Sequence, residues 1–542
     1  MKFPKLTVLL LASCLFQGFG WVQSSLAADP VLVVSIEGTD NLVSDVEYLM
    51  GATGTSAFGQ FFLPTVKNYL QGINGESPIG VVVTLEGGQP KVLGFVPVTD
   101  LKRFLGNIEE QVGAAEDAGD GVLELQGPQS IFVKEHNGWA FLGQTVEALD
   151  DLPGNPEQLL GGLNTSYDIG VRVFVQNIPA ELRDMAIQQL NAGLQQGLAD
   201  IDDEDAAASA KASLAEMEKA INQMDQVTLG LNIDQGDKRL FMDMSVTAKE
   251  GTELAKEMAY SADVSTKFSG FLIEDAAISG AFAGVVAEDK IDQTIEQMQT
   301  VKKSTLKELQ NDDELDDAGR AAAEALVDGI FDVFIETIKT GKLDAAMSVV
   351  LEEKEMTMAM AAHVADSAKV EKMVQDIVEM AKKESEISFT KLNFNAETKE
   401  GIRYHDLAVA VPDDEYVNKI FNGELEVCIG AAENAVYVSM GTSPKAHLQK
   451  MISTSKAAPA KKIMPLQFVV KMLPLLKFAQ SMEDNPAVAA MIDGLESGND
   501  HVRLNVMPIS SGFTYRFELE EGVLELLGKA AVSGQQAAAA GF

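Results

Sequence analysis

The feature that most limits how this chain can fold is an order of elements that occurs twice. Over 79–108 the sequence reads strand, turn, strand, helix: Val81-Val82-Val83-Thr84-Leu85, then Gly87-Gly88, then a second apolar run over 92–98. A Thr99/Asp100 cap follows, and Leu101, Phe104, Leu105 and Ile108 take the i, i+3, i+4, i+7 spacing of one helix face. The same order returns at 347–351 and 356–364, where Asp366/Ser367 cap a helix bearing Val370, Met373, Val374 and Ile377.

The correspondence extends along the chain. Segments 121–125 and 131–133, an Asn137-Gly138 hairpin turn, 139–142 and a helix from Thr145 match 423–427, 436–438 and a helix capped by Ser443 with Pro444 first. Segment 171–175 and a helical hairpin to Met224 match 466–470 and helices to Leu495. Alternating Val227, Leu229, Leu231 and Ile233 match Val502, Leu504 and Val506, and 31–36 matches 281–286. Segment 387–412 reads as an extra hairpin in the second copy, and 535–542 as a frayed tail. Because strands come in pairs with short turns, the expected fold class is α+β. It consists of two tandem related copies, 29–262 and 263–542, each an antiparallel or mixed sheet covered by amphipathic helices.

Residues 1–27 have the parts of a secretory signal: Lys2 and Lys5, a mostly apolar run over 6–22, and small residues around Ser25-Leu26-Ala27 before cleavage after Ala27. Gln17 and Gln23 interrupt the apolar run, so no transmembrane segment is expected once the signal is removed. Leu11-Ala12-Ser13-Cys14 also has the form of a bacterial lipoprotein box, which makes lipid anchoring through Cys14 the alternative processing route. Either route leaves Cys428 as the only internal cysteine, so no internal disulfide is expected. The expected location is periplasmic or secreted, in a bacterium.

Charge narrows the partners. With 42 Lys+Arg against 81 Asp+Glu the net charge is −39, which repels phosphate backbones and anionic lipid and argues against nucleic acid. No G-x-S-x-G, H-E-x-x-H, Walker, G-x-G-x-x-G or C-x-x-C motif occurs, and His136, His363, His405, His447 and His501 stand apart. No catalytic, cofactor-binding or metal residue is therefore nominated, and no cofactor. Met356, Met358 and Met360 alternate near His363, a soft-donor pattern for Cu(I), but Leu93 and Phe95 in the matching strand favour core packing. Leu240, Met242, Met244 and Val246 read as a core face for the same reason. The acidic runs 202–205 and 312–317 lack the EF-hand glycine and read as solvated helix ends, with weak Ca²⁺ binding as the alternative. Ile330, Phe331, Phe334, Ile335 and Ile338 either cover a sheet or line a cavity for a hydrophobic ligand.

The stretch from Gly80-Val81-Val82-Val83-Thr84-Leu85 to Val96-Pro97-Val98-Thr99-Asp100 resembles uncharacterised secreted bacterial proteins built from strand-pair/helix repeats. That resemblance implies export and an α+β repeat, and it brings no catalytic or binding residues with it. The expected function is an exported, non-enzymatic protein that binds an unidentified protein or serves the cell envelope. One alternative is a carrier of a hydrophobic ligand such as lipid, which requires a continuous apolar cavity. The other is a hydrolase with dispersed catalytic residues, which requires a histidine in reach of both a hydroxyl and an acid.

Overall fold

The computed structural model describes residues 29–127, 130–198, 204–310, 317–382, 388–411, 414–495 and 499–540. The signal segment, Cys14, residues 202–203 of one acidic run and 312–316 of the other lie outside the described residues. The chain divides into two compact units: residues up to Leu190 with Met224–Gln235, and Asn191–Gln223 with Gly236 onward. This division by contact differs from the sequence boundary at 262/263. No helix among the described residues is long and apolar enough to cross a membrane.

Elements in the first unit begin with β1 (Pro30–Ile36), α1 (Thr39–Ala52), α2 (Ser56–Tyr69), β2 (Ile79–Glu86), β3 (Gln89–Pro97) and α3 (Leu101–Val112). Then come β4 (Ala115–Gly119), β5 (Val122–Gln126), β6 (Ser130–His136), β7 (Trp139–Gly143), α4 (Leu163–Ser166) and β8 (Ile169–Phe174). Helix α5 (Ala180–Leu198) begins in this unit; its end and α6 (Glu204–Gln223) belong to the second, and the chain returns for the last strand, β9 (Met224–Asp234). Every pairing in this unit's sheet is antiparallel, in the order β4-β5-β6-β7-β3-β2-β1-β8-β9.

Local chemistry explains these elements. Asp100 accepts the Arg103 N–H at 3.0 Å and starts α3, as its place in the sequence predicts. Asn137 and Gly138, at φ 50° and 78°, make the tight turn between β6 and β7, where most residues would be strained. One sheet face buries Val33, Val82, Leu93, Phe95 and Phe141 with Leu149, Leu160 and Leu163. On the other, Leu101, Leu105 and Ile108 of α3 pack on Leu125, Val133 and Ala140. The helix expected from Thr145 is a single 3₁₀ turn, Val146–Leu149, capped by the Thr145 hydroxyl at 3.3 Å from the Ala148 nitrogen.

The second unit contains β10 (Arg239–Ala248), α7 (Glu253–Tyr260), β11 (Ser265–Thr266), β12 (Ile278–Val285), α8 (Ile291–Gln310) and α9 (Asp317–Ile338). It continues through β13 (Lys342–Glu352), β14 (Glu355–His363), α10 (Ser367–Ala381), β15 (Phe389–Lys399), β16 (Ile402–Ala410), α11 (Glu415–Phe421), β17 (Glu424–Ala432) and β18 (Ala435–Gly441). It ends with α12 (Pro444–Ala457), β19 (Lys461–Lys462), β20 (Leu466–Lys471), α13 (Met472–Met482), α14 (Pro486–Leu495), β21 (His501–Ile509), β22 (Gly512–Glu520) and α15 (Glu521–Ala540). Its sheet is again antiparallel, in the order β15-β16-β17-β18-β14-β13-β12-β20-β21-β22-β10. Strands β11 and β19 pair separately. One core joins Phe271, Tyr437, Leu448 and Ile452 to sheet residues Ala281, Ala346, Ala359 and Ile402. A smaller one sets Val370 of α10 among Leu407, Ile429 and Val436.

Four points of the sequence reading are refined here. Ala115–Gly119, which carries no strand signal, is β4 and pairs with β5. The hairpin read as an insertion, β15–β16, stands at the outer end of its sheet, as β4–β5 does in the first unit. Ser443 sits at φ 49° with no side-chain cap bond, so Pro444 alone marks the start of α12, and the tail expected to fray is helical as far as Ala540.

Candidate functional site

The strongest candidate lies in the first unit, where β1 runs out. Glu37 follows that strand, and Gly38 turns the chain into α1 at a point where a Cβ would meet the Gly75 carbonyl oxygen at 2.4 Å. Helix α1 then presents Asn41, Ser44 and Asp45. Because β1 pairs antiparallel with β8, the residue just before β8 meets Glu37: the Glu37 N–H donates to the Asp168 carbonyl at 2.8 Å. Side-chain oxygens of Glu37, Asp45 and Asp168 lie within 4.8 Å of one another. With Asn41, Ser44, Asn232, Ile233, Asp234 and Gln235 they line an open pocket of about 310 Å³, and no Lys, Arg or His is among its lining residues.

Asp45 and Asp168 are almost fully buried. Asp168 Oδ2 accepts the Ile233 N–H at 2.6 Å, and Asp45 Oδ1 accepts from the Gln235 amide at 2.8 Å. Glu37 Oε2 has only a long 3.5 Å bond from Asn41, while its Oε1 is buried with no hydrogen-bond partner. Burial, the adjacent Asp45 carboxyl and the charge of Asp168 raise the Glu37 pKa to about 7. Burial raises that of Asp168 to about 6, with help from Asp45 and Asp234 and against the pull of the Ile233 N–H. Carboxylates gathered this way without a basic group hold protons in place of a cation. Their oxygens, with those of Ser44, Asn41 and Asn232, form the donor set of hard ions such as Ca²⁺.

The second unit holds a polar pocket of different character, about 460 Å³, lined by residues of β21 and β22 with Asp237 and Arg239. Here acids and bases alternate. Arg516 makes two 2.8 Å bonds to Asp243, Arg503 bonds Glu518 at 2.7 Å and also Glu520, and His501 Nδ1 lies 2.6 Å from Glu520. Burial would raise the Glu520 pKa, but the His501 ring and backbone bonds and those of Arg503 outweigh it and hold it near about 2. Each of these carboxylates faces a cation, so the network is matched where the first-unit pocket is not.

The residues weighed from sequence fall elsewhere. His363 stands on the opposite face of β14 from Met356, Met358 and Met360, because successive strand residues alternate, so the four do not share one ion. Met242 and Met244, expected in the core, are exposed, and the buried alternates are Phe241 and Asp243. On α9, Ile335 and Ile338 are buried while Ile330 and Phe334 are exposed, so the helix covers the sheet with one edge. His405 is buried, with Nε2 2.8 Å from Glu371 and Nδ1 accepting the Asn395 N–H; His363 touches the Asn434 carbonyl and the Thr340 hydroxyl. Among the described residues no histidine has both a hydroxyl and a carboxylate within hydrogen-bond reach. Glu37 and Asp45 stand eight residues apart and Asp168 comes from a distant part of the chain, so no local spacing in the sequence marks the three as one site. Comparison of the chain with protein-family models, curated proteins and solved structures finds no match.

Proposed function

We propose that this is an exported, non-enzymatic binding protein of two related α+β copies, and that the first-unit acidic pocket takes a hard divalent cation of the Ca²⁺ class. Export rests on the charged, apolar and small-residue parts of 1–27, with Cys14 as the alternative anchor site. Duplication is supported by strand order: β4-β5-β6-β7-β3-β2-β1-β8-β9 corresponds place for place to β15-β16-β17-β18-β14-β13-β12-β20-β21. Asp100 and Asp366 also cap helices at the same place in that order. In this reading the copies run 29–262 and 263–542, and β15–β16 answers to β4–β5 instead of being inserted.

The cation reading is carried by one observation: the buried, unpartnered Glu37 Oε1 beside Asp45 and Asp168, with no basic group lining the pocket. A divalent ion there replaces the proton that Glu37 holds and joins β1, α1 and the start of β8. Hydrophobic-ligand carriage is less well supported, since both pockets described above are polar. Titration calorimetry on metal-stripped protein should give a Ca²⁺ dissociation constant on the order of 10⁻⁵ to 10⁻³ M. Asp45→Asn should weaken it at least tenfold. Absence of binding, or binding that the Asp45 variant keeps, would sink the reading.

A further inference from the structure

In a chain that is 23% charged, residues 48–66 carry no charged side chain at all. They form the tip of the helical hairpin α1–α2. In sequence, the links at 199–203 and 311–316 between the other long helix pairs are acidic. Helix α2 faces the wrong way for a globular surface. Phe58, Phe61 and Phe62, at the i, i+3, i+4 spacing of one apolar stripe, are 54%, 84% and 41% exposed, and Gly59 is its only buried residue. The Phe58 and Phe62 rings stack at 6.3 Å.

The hydroxyls and loop N–H groups of the turn at 53–56 are bonded within the tip. The Thr53 hydroxyl donates to the Leu49 carbonyl at 2.8 Å and meets that of Thr55 at 2.9 Å, and the Ser56 hydroxyl donates to the Met50 carbonyl at 3.3 Å. The N–H groups of Thr53, Gly54 and Thr55 bond to carbonyls of Leu49, Gly51 and Met50. At its base Lys67 is neutralised by Glu47 at 2.7 Å. A turn whose hydroxyls and loop N–H groups need no water loses little on entering an apolar phase.

We infer that the α1–α2 tip docks on a neutral, zwitterionic lipid surface, with Phe58, Phe61 and Phe62 entering the boundary between headgroups and acyl chains. Charge selects this partner: a protein of net charge −39 is repelled by anionic lipid, and its uncharged tip offers no basic group to recruit it. The exposed stripe suits insertion, and rings at this depth anchor as aromatic belts do. The inference does not rest on the cation reading.

The test is flotation of the chain beginning at Ala28 with phosphatidylcholine vesicles in EDTA, so that failure of cation binding has no bearing on it. The wild type should float equally at low and high salt. Phe61→Ser should cut partitioning at least about tenfold, and Ser at positions 58, 61 and 62 together about 100-fold or more. Phe61→Trp, which keeps the apolar surface should the triple variant misfold, should show blue-shifted emission on vesicle addition. No flotation of the wild type, flotation kept by a folded triple variant, or binding confined to anionic vesicles and lost in salt would overturn the inference. So would an emission spectrum of the Phe61→Trp variant that vesicles leave unchanged.

Discussion

Replacing Glu37 by Gln tests the acidic pocket through its proton. In the metal-free protein Glu37 titrates near about 7 against 4.5 for an ordinary glutamate, because burial and neighbouring carboxylates favour its neutral form. A carboxyl whose folded pKa is raised contributes stability that is whole below the unfolded value and is lost as pH climbs through the folded one. The loss therefore falls between pH 4.5 and about 7. At about 1.4 kcal/mol per pH unit the ceiling is roughly 3 kcal/mol; Glu37 is partly exposed, so solvent screening reduces this to about 1–2 kcal/mol. Gln has the shape of the protonated acid and does not titrate. E37Q should match the wild type at pH 4.5 and melt higher at pH 8, by about 3–6 °C for a unit of this size. The assay is thermal melting of both proteins in EDTA across that range. Added Ca²⁺ should raise the wild-type melting temperature at pH 7.5 and leave it unmoved at pH 5. A difference between the two proteins that stays constant with pH would refute the reasoning.

Further outcomes follow from packing and pairing. Phe95→Ala, which empties a fully buried ring site, should cost about 3–5 kcal/mol in a urea titration. Asp100→Ala and Asp366→Ala each remove a helix cap and should each cost about 1 kcal/mol, additively in the double variant. Arg516→Met strips buried Asp243 of two guanidinium bonds and should cost about 3 kcal/mol, most of it recovered when Asp243→Leu is added. Intact-mass measurement on protein from the native host should give a chain starting at Ala28; a lipid-modified mass starting at Cys14 would replace that assignment.

What the sequence displayed clearly was local. Strand pairs, the Asn137-Gly138 turn and the Asp100 and Asp366 caps are all written in adjacent residues, and each forms as its chemistry dictates. Strand β4, Ala-Glu-Asp-Ala-Gly, has none of the branched or aromatic residues that mark a strand; it exists because β5 supplies an antiparallel partner, and all five residues stay exposed. Alternation along β10 located the strand and misassigned its faces. The apolar residues Met242 and Met244 face out, while Asp243 goes in with Arg516, whose guanidinium lies 3.8 Å from the Phe241 ring centre. Binary patterning fails wherever a paired charge takes an inside position. The acidic pocket was hidden for a different reason. Dense acidic runs draw notice, yet these carboxylates are single residues: the β1–β8 register brings Asp168 to Glu37, and α1 carries Asp45 in beside them.

The cation claim meets its most direct test in a crystal of the chain soaked in Ca²⁺. The account predicts an ion in the first-unit pocket with carboxylate oxygens of Glu37, Asp45 and Asp168 at about 2.3–2.6 Å. A pocket that stays free of metal at millimolar Ca²⁺ and neutral pH would contradict it.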